Sequence, residues 1–262
     1  MLNSLCHVRG YAGQIEAGLQ ACQQGIAITR GNGSGDRDPK LVHLYTNLGV
    51  VLFRAGRYDE TERAYLDALE LATKIYGEQD PMVGNLLNNL GVLYVDIGKL
   101  DQAQDYYGRA LVLFDAAFGK QHPTTGILRT NLAMAYSNDG ELDQAEALLH
   151  ESIEVLEQTL GPDHVDLALS LAELARVHAR REQHAEAIPL FERAMDLRKA
   201  AGGEPLELAD TEYGLGLSLW EQGQRARARA LIGEARGLYE QAGGERLARV
   251  EEIDAWLAAH GD

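Results

Sequence analysis

Residues 81–122 read PMVGNLLNNLGVLYVDIGKLDQAQDYYGRALVLFDAAFGKQH, and the chain repeats this pattern every 42 residues. The triplet Asn89-Leu90-Gly91 has counterparts on either side, at Asn47-Leu48-Gly49 and Asn131-Leu132-Ala133. The glycine seven residues after each triplet repeats as well, at Gly56, Gly98 and Gly140. A fixed period of this size predicts a stacked array of repeats. Such arrays usually present an extended binding surface.

Each repeat has the pattern of two amphipathic helices, A and B, joined at the turn glycine. Small residues recur where helix A is expected to meet helix B of its own repeat: Gly49, Gly91, Ala133, Ala175 and Gly216. A second small row is expected where helix B meets the next repeat: Ala68, Ala110, Ser152, Ala194 and Ala235. Large side chains recur as their partners, and dense packing requires them to fill the space that the small residues leave: Tyr65, Tyr107, Leu149, Phe191 and Ile232.

The repeat boundaries are equally regular. Glycines recur nine residues after the small residue of helix B, where a positive φ can end the helix: Gly77, Gly119, Gly161, Gly203 and Gly244. The dipeptides Asp38-Pro39, Asp80-Pro81 and His122-Pro123 are expected to start the next helices, because proline is tolerated in the first turn.

This pattern resembles the tetratricopeptide repeat. The family's order of small, aromatic and turn residues is matched at Leu90-Gly91, Tyr94, Gly98-Lys99-Leu100, Ala103, Tyr107 and Ala110. The family's usual period is 34 residues, whereas the longer period and the segments 76–81 and 118–123 are similar to the kinesin-light-chain type. The resemblance implies an all-α fold, a right-handed α-solenoid of about six helix-turn-helix repeats with a C-terminal capping helix. Repeats of this kind are also common in larger bacterial signalling proteins.

We expect residues 1–262 to form a single array. Its units are residues 1–38, 39–80, 81–122, 123–164, 165–206 and 207–244, and residues 245–260 are the capping helix. The first unit is degenerate and has glycines at helical framework positions, so we expect it to be the least stable. The fifth unit lacks the turn glycine.

Composition narrows the function classes. The formal net charge of −16 argues against nucleic-acid binding, which needs a basic surface. No apolar stretch is long enough to span a membrane and no signal peptide is visible, so we expect a cytoplasmic protein. With only Cys6 and Cys22 available, we expect two buried cysteines and no disulfide framework.

The candidate binding residues lie on the A helices, which form the concave groove in the family. Asn47, Asn89 and Asn131 occupy one equivalent position, and an amide offers both a donor and an acceptor to the backbone of an extended peptide. Asn85 and Asn88 widen this polar patch in the third unit. The alternative is that these amides bond neighbouring helices or water.

The asparagine ladder stops at Glu173 and Gly214. Arg176 and Arg180 follow Glu173 by three and seven residues, so the three side chains share a helical face. The two arginines could hold a carboxylate of a partner, or they could form ion pairs within the helix. Further along, Tyr213, Leu217 and Trp220 could form an apolar end to the groove or pack against the capping helix.

We expect no cofactor, no metal site and no enzymatic activity. The segment 31–35 lacks the ending of a phosphate loop, and the acidic residues beside His164 are better placed to cap a helix than to bind a metal. The pattern therefore predicts a scaffold that binds a peptide or protein segment in its groove. Two alternatives stay open, a regulatory sensor that responds to a ligand or peptide, and a self-association module.

Overall fold

The computed structural model describes residues 15–31, 37–243 and 246–260, and these ranges contain twelve α-helices and no β-strand. The helices are α1 (Ile15–Gly31), α2 (Pro39–Arg54), α3 (Tyr58–Tyr76), α4 (Pro81–Asp96), α5 (Leu100–Phe118), α6 (Pro123–Asp139), α7 (Leu142–Leu160), α8 (Leu167–Arg180), α9 (His184–Ala201), α10 (Pro205–Glu221), α11 (Arg225–Ala242) and α12 (Leu247–Ala259). The predicted all-α fold is confirmed.

The chain divides into two compact units, residues 1–120 and residues 121–262. In the first unit, α2 packs on α3 and α4 on α5 as hairpins, while α1 contacts α2 and α3 contacts α4. In the second unit, the hairpins are α6–α7, α8–α9 and α10–α11. Helix α12 covers α11 at the end of the second unit. The first four hairpins each fall within one predicted repeat, whereas α10 of the last hairpin begins at Pro205, two residues before the predicted boundary.

The small residues lie where the sequence predicts, against large side chains of the same hairpin. A Cβ atom added to Gly49 would lie 2.3 Å from Cε1 of Tyr65, and one added to Gly91 would lie 2.6 Å from the ring of Tyr107. Neither position has room for another residue. The helices of each hairpin approach closely because the small residue is there.

The predicted helix starts are confirmed. The side chains of Asp38 and Asp80 accept hydrogen bonds from the backbone N–H groups of Lys40 (2.9 Å) and Met82 (2.8 Å). The Nδ1 atom of His122 accepts one from the N–H of Thr124 at 3.2 Å. Each cap satisfies one of the free N–H groups at the helix start. The proline that precedes this group has no N–H of its own and needs no partner.

The predicted helix ends are right in three repeats and displaced in the fifth. Gly77, Gly119 and Gly161 have φ angles of 91°, 89° and 92°. In the fifth repeat the left-handed residue is Gly202 (φ 63°) and not Gly203, because α9 is one residue shorter than α3, α5 and α7. Gly243 has φ 64° in the sixth repeat, and Gly244 lies outside the described residues.

Cys22 is disulfide-bonded, a single bridge that the expectation of no disulfide framework did not foresee. Its predicted burial is confirmed, since the residue is fully buried and packs with Leu19 of α1 and with Val51 and Leu52 of α2. Composition argues against a framework of several bridges, but it carries no information on whether a single sulfur atom lies within bonding distance of another. Cys6 lies outside the described residues.

None of the helices in the described ranges combines the length and the apolar character needed to cross a lipid bilayer.

Candidate functional site

The predicted asparagines of the first unit lie on α2 and α4. Asn47, Asn88 and Asn89 are half-buried, and Asn85 is exposed to solvent. Within the described residues, the Asn89 amide forms no hydrogen bond to another side chain or to the main chain. Asn89 thus retains unused donor and acceptor groups that water or a ligand can engage.

Asn131 lies in the second unit, half-buried on α6. Helix α6 contacts α8, where the equivalent residue is Glu173. The Glu173 side chain is only 7% exposed, and its carboxylate accepts a hydrogen bond from Nη1 of Arg176. The intrahelical ion pair that was one of two alternatives for Arg176 is therefore present.

Arg180 has a different role from Arg176. Its Nη1 group donates to the backbone carbonyl of Ser137 on α6 and approaches the Ser137 hydroxyl at 3.2 Å. The side chain is exposed and forms no ion pair with a carboxylate of the described residues. Two oxygens thus fix the direction of the Arg180 guanidinium while its charge stays uncompensated.

The two arginines line one cavity of about 390 Å³ between α8 and α10. Its walls also include Phe191 of α9 and the residues Gly214 and Leu217 of α10. A Cβ atom on Gly214 would lie 2.8 Å from Cζ of Phe191, so a larger residue there would displace the ring. The position that holds asparagine in earlier repeats holds glycine here, and the missing side chain opens the cavity.

Polar groups without partners lie in the same cavity. Ser218 is only 1% exposed, and its Oγ atom has no hydrogen-bond partner among the described residues. The Nδ1 atom of His184 is buried and unpaired in the same way. An unpaired buried polar atom typically costs about 1–3 kcal/mol. The repeat pattern did not identify either residue as a binding candidate, because neither occupies a framework position of the repeat.

Two further charged residues border the cavity. Arg249 of α12 forms an ion pair with Glu252 at 2.7 Å, and Asp210 of α10 accepts a hydrogen bond from the Tyr239 hydroxyl. Burial, followed by this hydrogen bond to Asp210, raises the pKa of Tyr239. The tyrosine therefore stays neutral and keeps donating its proton to the carboxylate. Of the cations at the cavity, Arg176 and Arg249 are paired within their own helices, whereas Arg180 is not.

The three residues expected at the apolar end of the groove make two kinds of contact. Tyr213 and Leu217 line the cavity. Trp220 instead packs edge-on against Trp256 of the capping helix, with 5.1 Å between the ring centroids, and against His260 at 4.8 Å. Tyr213 also contacts the capping helix, because its hydroxyl donates to Glu252 at 3.3 Å, so both Tyr213 and Trp220 pack against that helix.

Three arginines near the C-terminus, Arg227, Arg236 and Arg249, form ion pairs. Arg236 contacts Asp254 at 3.0 Å and Glu240 at 2.8 Å, and Arg227 contacts Glu192 at 2.7 Å. Hydrogen bonds from Arg236 lower the pKa of the Asp254 carboxyl. Within the described part of the chain, no three histidine, cysteine or acidic side chains are grouped so as to hold a metal ion.

A larger cavity, of about 460 Å³, lies in the first unit among α3, α4 and α5. Its walls are mainly apolar, and its charged residues are Glu78 and Arg109. None of the sequence-predicted binding residues lines it. The predicted arginines and two of the unpaired polar atoms, those of His184 and Ser218, line the cavity of the second unit.

Helical hairpins repeated at a fixed interval, each closed by a contact between a small and a large residue, define a helical-repeat protein of the all-α solenoid class. A family model of the tetratricopeptide repeat matches residues 40–116, 96–158 and 124–200, and a second model of the same repeat matches residues 209–234. The chain belongs to the tetratricopeptide repeat family, as its sequence predicted.

Solved structures with the same fold include kinesin-light-chain-like proteins. The crystal structure of BtubC (BKLC) from P. vanneervenii is 20% identical, with 88% of this chain and 92% of that one aligned at a TM-score of 0.71. A putative kinesin light chain of Podosopora anserina with nearly identical TPR-like repeats is 19% identical, with 78% and 98% of the chains aligned at 0.61.

The quorum sensor NprR from B. thuringiensis, in its apo form, is 16% identical. The alignment covers 97% of this chain and 69% of NprR, with a TM-score of 0.72. NprR in complex with its cognate peptide NprX superposes equally well. At these identities the likenesses show the fold alone. A comparison with curated protein sequences gives no match.

Proposed function

We propose that this protein binds a peptide, or an extended segment of another protein, on the A-helix surface of its repeats. The observation that carries the proposal is Asn89, which is half-buried on α4 without a hydrogen bond to any described residue. An amide with a structural task in the array would be bonded to a neighbouring helix. The equivalent residues Asn47 and Asn131 already take part in interactions within the structure, so Asn89 is the amide whose donor and acceptor groups could bond the backbone of a peptide.

Two further points support the proposal. In the second unit, the same face of the A helices bears Arg176, Arg180 and a cavity large enough for part of a ligand. Among proteins of the same fold, NprR was crystallised with a cognate peptide. A surface that packed helices form before binding lowers the entropic cost of binding.

Random dodecapeptides on arrays, anchored through either end, test the proposal. The strongest binder is resynthesised, and its affinity is measured by calorimetry for the wild type and for Asn89→Ala. We expect the substitution to weaken binding by about 1–2 kcal/mol, close to tenfold, because a ligand hydrogen bond is lost. The melting temperature should stay unchanged, since no bond within the described structure is removed.

A matched control is Gln102→Ala, which removes an exposed amide from helix α5. The control should bind the peptide as the wild type does. If Asn89→Ala lowers the melting temperature and leaves the affinity intact, the asparagine is structural. If no peptide binds in either orientation with a Kd below ~1 mM, the proposed function itself is wrong.

A further inference from the structure

The cavity of the first unit lies between two neighbouring B helices, α3 and α5, and we call it the B-helix groove. Leu69 and Thr73 of α3 form one side, and Val112 of α5 belongs to the other. Leu87 of α4 adds to the apolar walls, and the loop that joins α3 to α4 supplies Glu78. None of the candidate peptide-binding asparagines lines this groove, so it is a separate surface.

The second unit shows which side chain crosses the equivalent groove. Two repeats further along the chain, Arg193 of α9 has the position that Arg109 has on α5. Its Nη1 atom contacts Glu157 of α7 at 2.6 Å, and its Nη2 atom donates to the Pro162 carbonyl, in the loop after α7, at 2.8 Å. An arginine side chain therefore spans the space between these two B helices.

In the first unit, the equivalent arginine does not cross the groove. Arg109 pairs with Asp105 of its own helix at 3.3 Å, whereas α9 has a proline at the position of that aspartate. On the opposite side, Thr73 replaces the carboxylate that receives Arg193. Both differences favour the pairing within α5, so the groove stays open to a guanidinium from another molecule.

The acceptors for such a guanidinium are present at Glu78, which is exposed and has the position of Pro162. Within the described ranges, its carboxylate forms no ion pair, and no main-chain N–H donates to its carbonyl. The other charged residue of the lining is Arg109, whose charge Asp105 compensates. The lining thus keeps one net negative charge, which favours a cationic ligand.

The edge of the groove is apolar at a position that is acidic in three other B helices. Val112 is 68% exposed, and its counterparts are Glu70, Glu154 and Asp196. An exposed valine here contributes little to the core of the array. It offers an apolar contact beside the site for the cation.

We propose that the B-helix groove binds an arginine of a partner protein, together with an apolar residue adjacent to that arginine. The guanidinium bonds the carboxylate and the carbonyl of Glu78, and the aliphatic stem lies along Leu69 and Leu87, since such stems commonly cover apolar surface. Arginine suits the site better than lysine, because its planar fork donates in two directions at once. The apolar residue contacts Val112. This interaction surface is independent of the proposed peptide site on the A helices.

Two peptide arrays test the inference. One consists of acetylated dodecapeptides with arginine fixed near the centre, and the other has citrulline there, which is neutral and similar in shape. We expect binders to concentrate in the arginine array and to have an apolar residue beside the arginine. In calorimetry, the best binder should bind about fivefold more tightly than its citrulline form, because an ion pair that stays partly in water contributes about that much.

Two pairs of variants connect this preference to the groove. Glu78→Gln should bring the ratio of arginine to citrulline affinity close to one, whereas Glu186→Gln, at an exposed glutamate of α9, should leave the ratio unchanged. Val112→Trp places a large side chain over the groove and should weaken the arginine peptide at least tenfold. Its control is Ile28→Trp, at an exposed residue of α1 outside the groove. Both tryptophan variants should keep the melting temperature of the wild type, because the residues they replace are exposed.

The remaining outcomes contradict the inference. Equal binding of the two arrays, a preference for arginine that survives in Glu78→Gln, or binding that Val112→Trp does not weaken would each overturn it. Sedimentation over a concentration range tests for another occupant, since self-association that Val112→Trp abolishes would assign the groove to a second copy of the chain. None of these results affects the proposed A-helix site, which depends on Asn89.

Discussion

Replacing Glu182 with glycine should stabilise the protein. Among the described residues, Glu182 is the only one other than glycine with a positive φ, at 62°. It occupies the turn between helices A and B, which every other described hairpin closes with a glycine of φ between 68° and 93°: Gly56, Gly98, Gly140 and Gly223. The backbone is held there by the neighbouring hydrogen bonds. The N–H of Glu182 donates to the Ala179 carbonyl at 2.9 Å, as that of Gly56 does to the Phe53 carbonyl at 2.9 Å.

The expected gain follows from two opposing terms. The left-handed conformation costs an L-residue about 1–2 kcal/mol. Glycine removes this cost but loses more freedom on folding, which takes back about 0.5–1 kcal/mol. The Glu182 side chain is exposed and makes no ion pair within the described ranges, so its removal subtracts little else. The net change is a stabilisation of about 0.5–1 kcal/mol, or about 2 °C in melting temperature for a chain of this size.

Urea unfolding followed by circular dichroism measures the change in free energy of unfolding. Glu182→Ala is the matched control, because it removes the same carboxylate and leaves a Cβ atom at the strained position. The control should lie within a few tenths of a kcal/mol of the wild type. Gly140→Ala tests the reverse change and should destabilise the protein by about 0.5–1 kcal/mol, from the same two terms. Equal stability of Glu182→Gly and Glu182→Ala would refute this prediction, because the Cβ atom at the left-handed position would then carry no cost.

Two other substitutions test buried polar groups. Ser152→Ala should cost about 1–2 kcal/mol in urea unfolding, although other repeats have alanine there, because the Ser152 hydroxyl bonds the Gly126 carbonyl and the Thr130 hydroxyl, both at 2.8 Å; an unchanged midpoint would contradict this. Burial raises the pKa of Glu212, despite Lys199 at 2.9 Å, so its ionisation costs stability as pH rises through the folded-state pKa. The stability of Glu212→Gln relative to the wild type should therefore be greater at pH 7 than at pH 4, and an equal difference at both pH values would show that the shift is absent.

The fold could be predicted because a few positions of each repeat have only one physical solution. The contact of Gly91 with Tyr107 excludes any larger residue, so its recurrence marks where two helices meet. Deviations from the pattern were harder to predict. The end of α9 at Gly202 depends on one residue of helix length, which the adjacent Gly203 conceals in the sequence. The repeat period places Glu182 at the turn position. Its left-handed conformation could not be predicted, because that conformation results from hydrogen bonds that only the folded hairpin supplies.

The candidate site could be predicted in part. The spacing of Arg176 and Arg180 correctly indicates a shared helical face, and both line one cavity. Their different partners could not be inferred, since Ser137 lies 43 residues before Arg180 in the chain. The unpaired hydroxyl of Ser218 was also hidden, because whether a buried serine finds a partner depends on neighbouring helices.

Gly214 belongs both to the repeat pattern and to the candidate site. Its position on helix A holds an asparagine in three repeats and the ion-paired Glu173 in the fifth, so a polar side chain fills the surface there. At Gly214 the side chain is missing, Phe191 lies within 2.8 Å of where a Cβ atom would be, and a cavity opens beside Arg180. An amide ladder that continued would treat every residue of a bound segment alike. Under the proposed function, the change from amides to an apolar cavity at Gly214 would let the array distinguish one residue of that segment from the others.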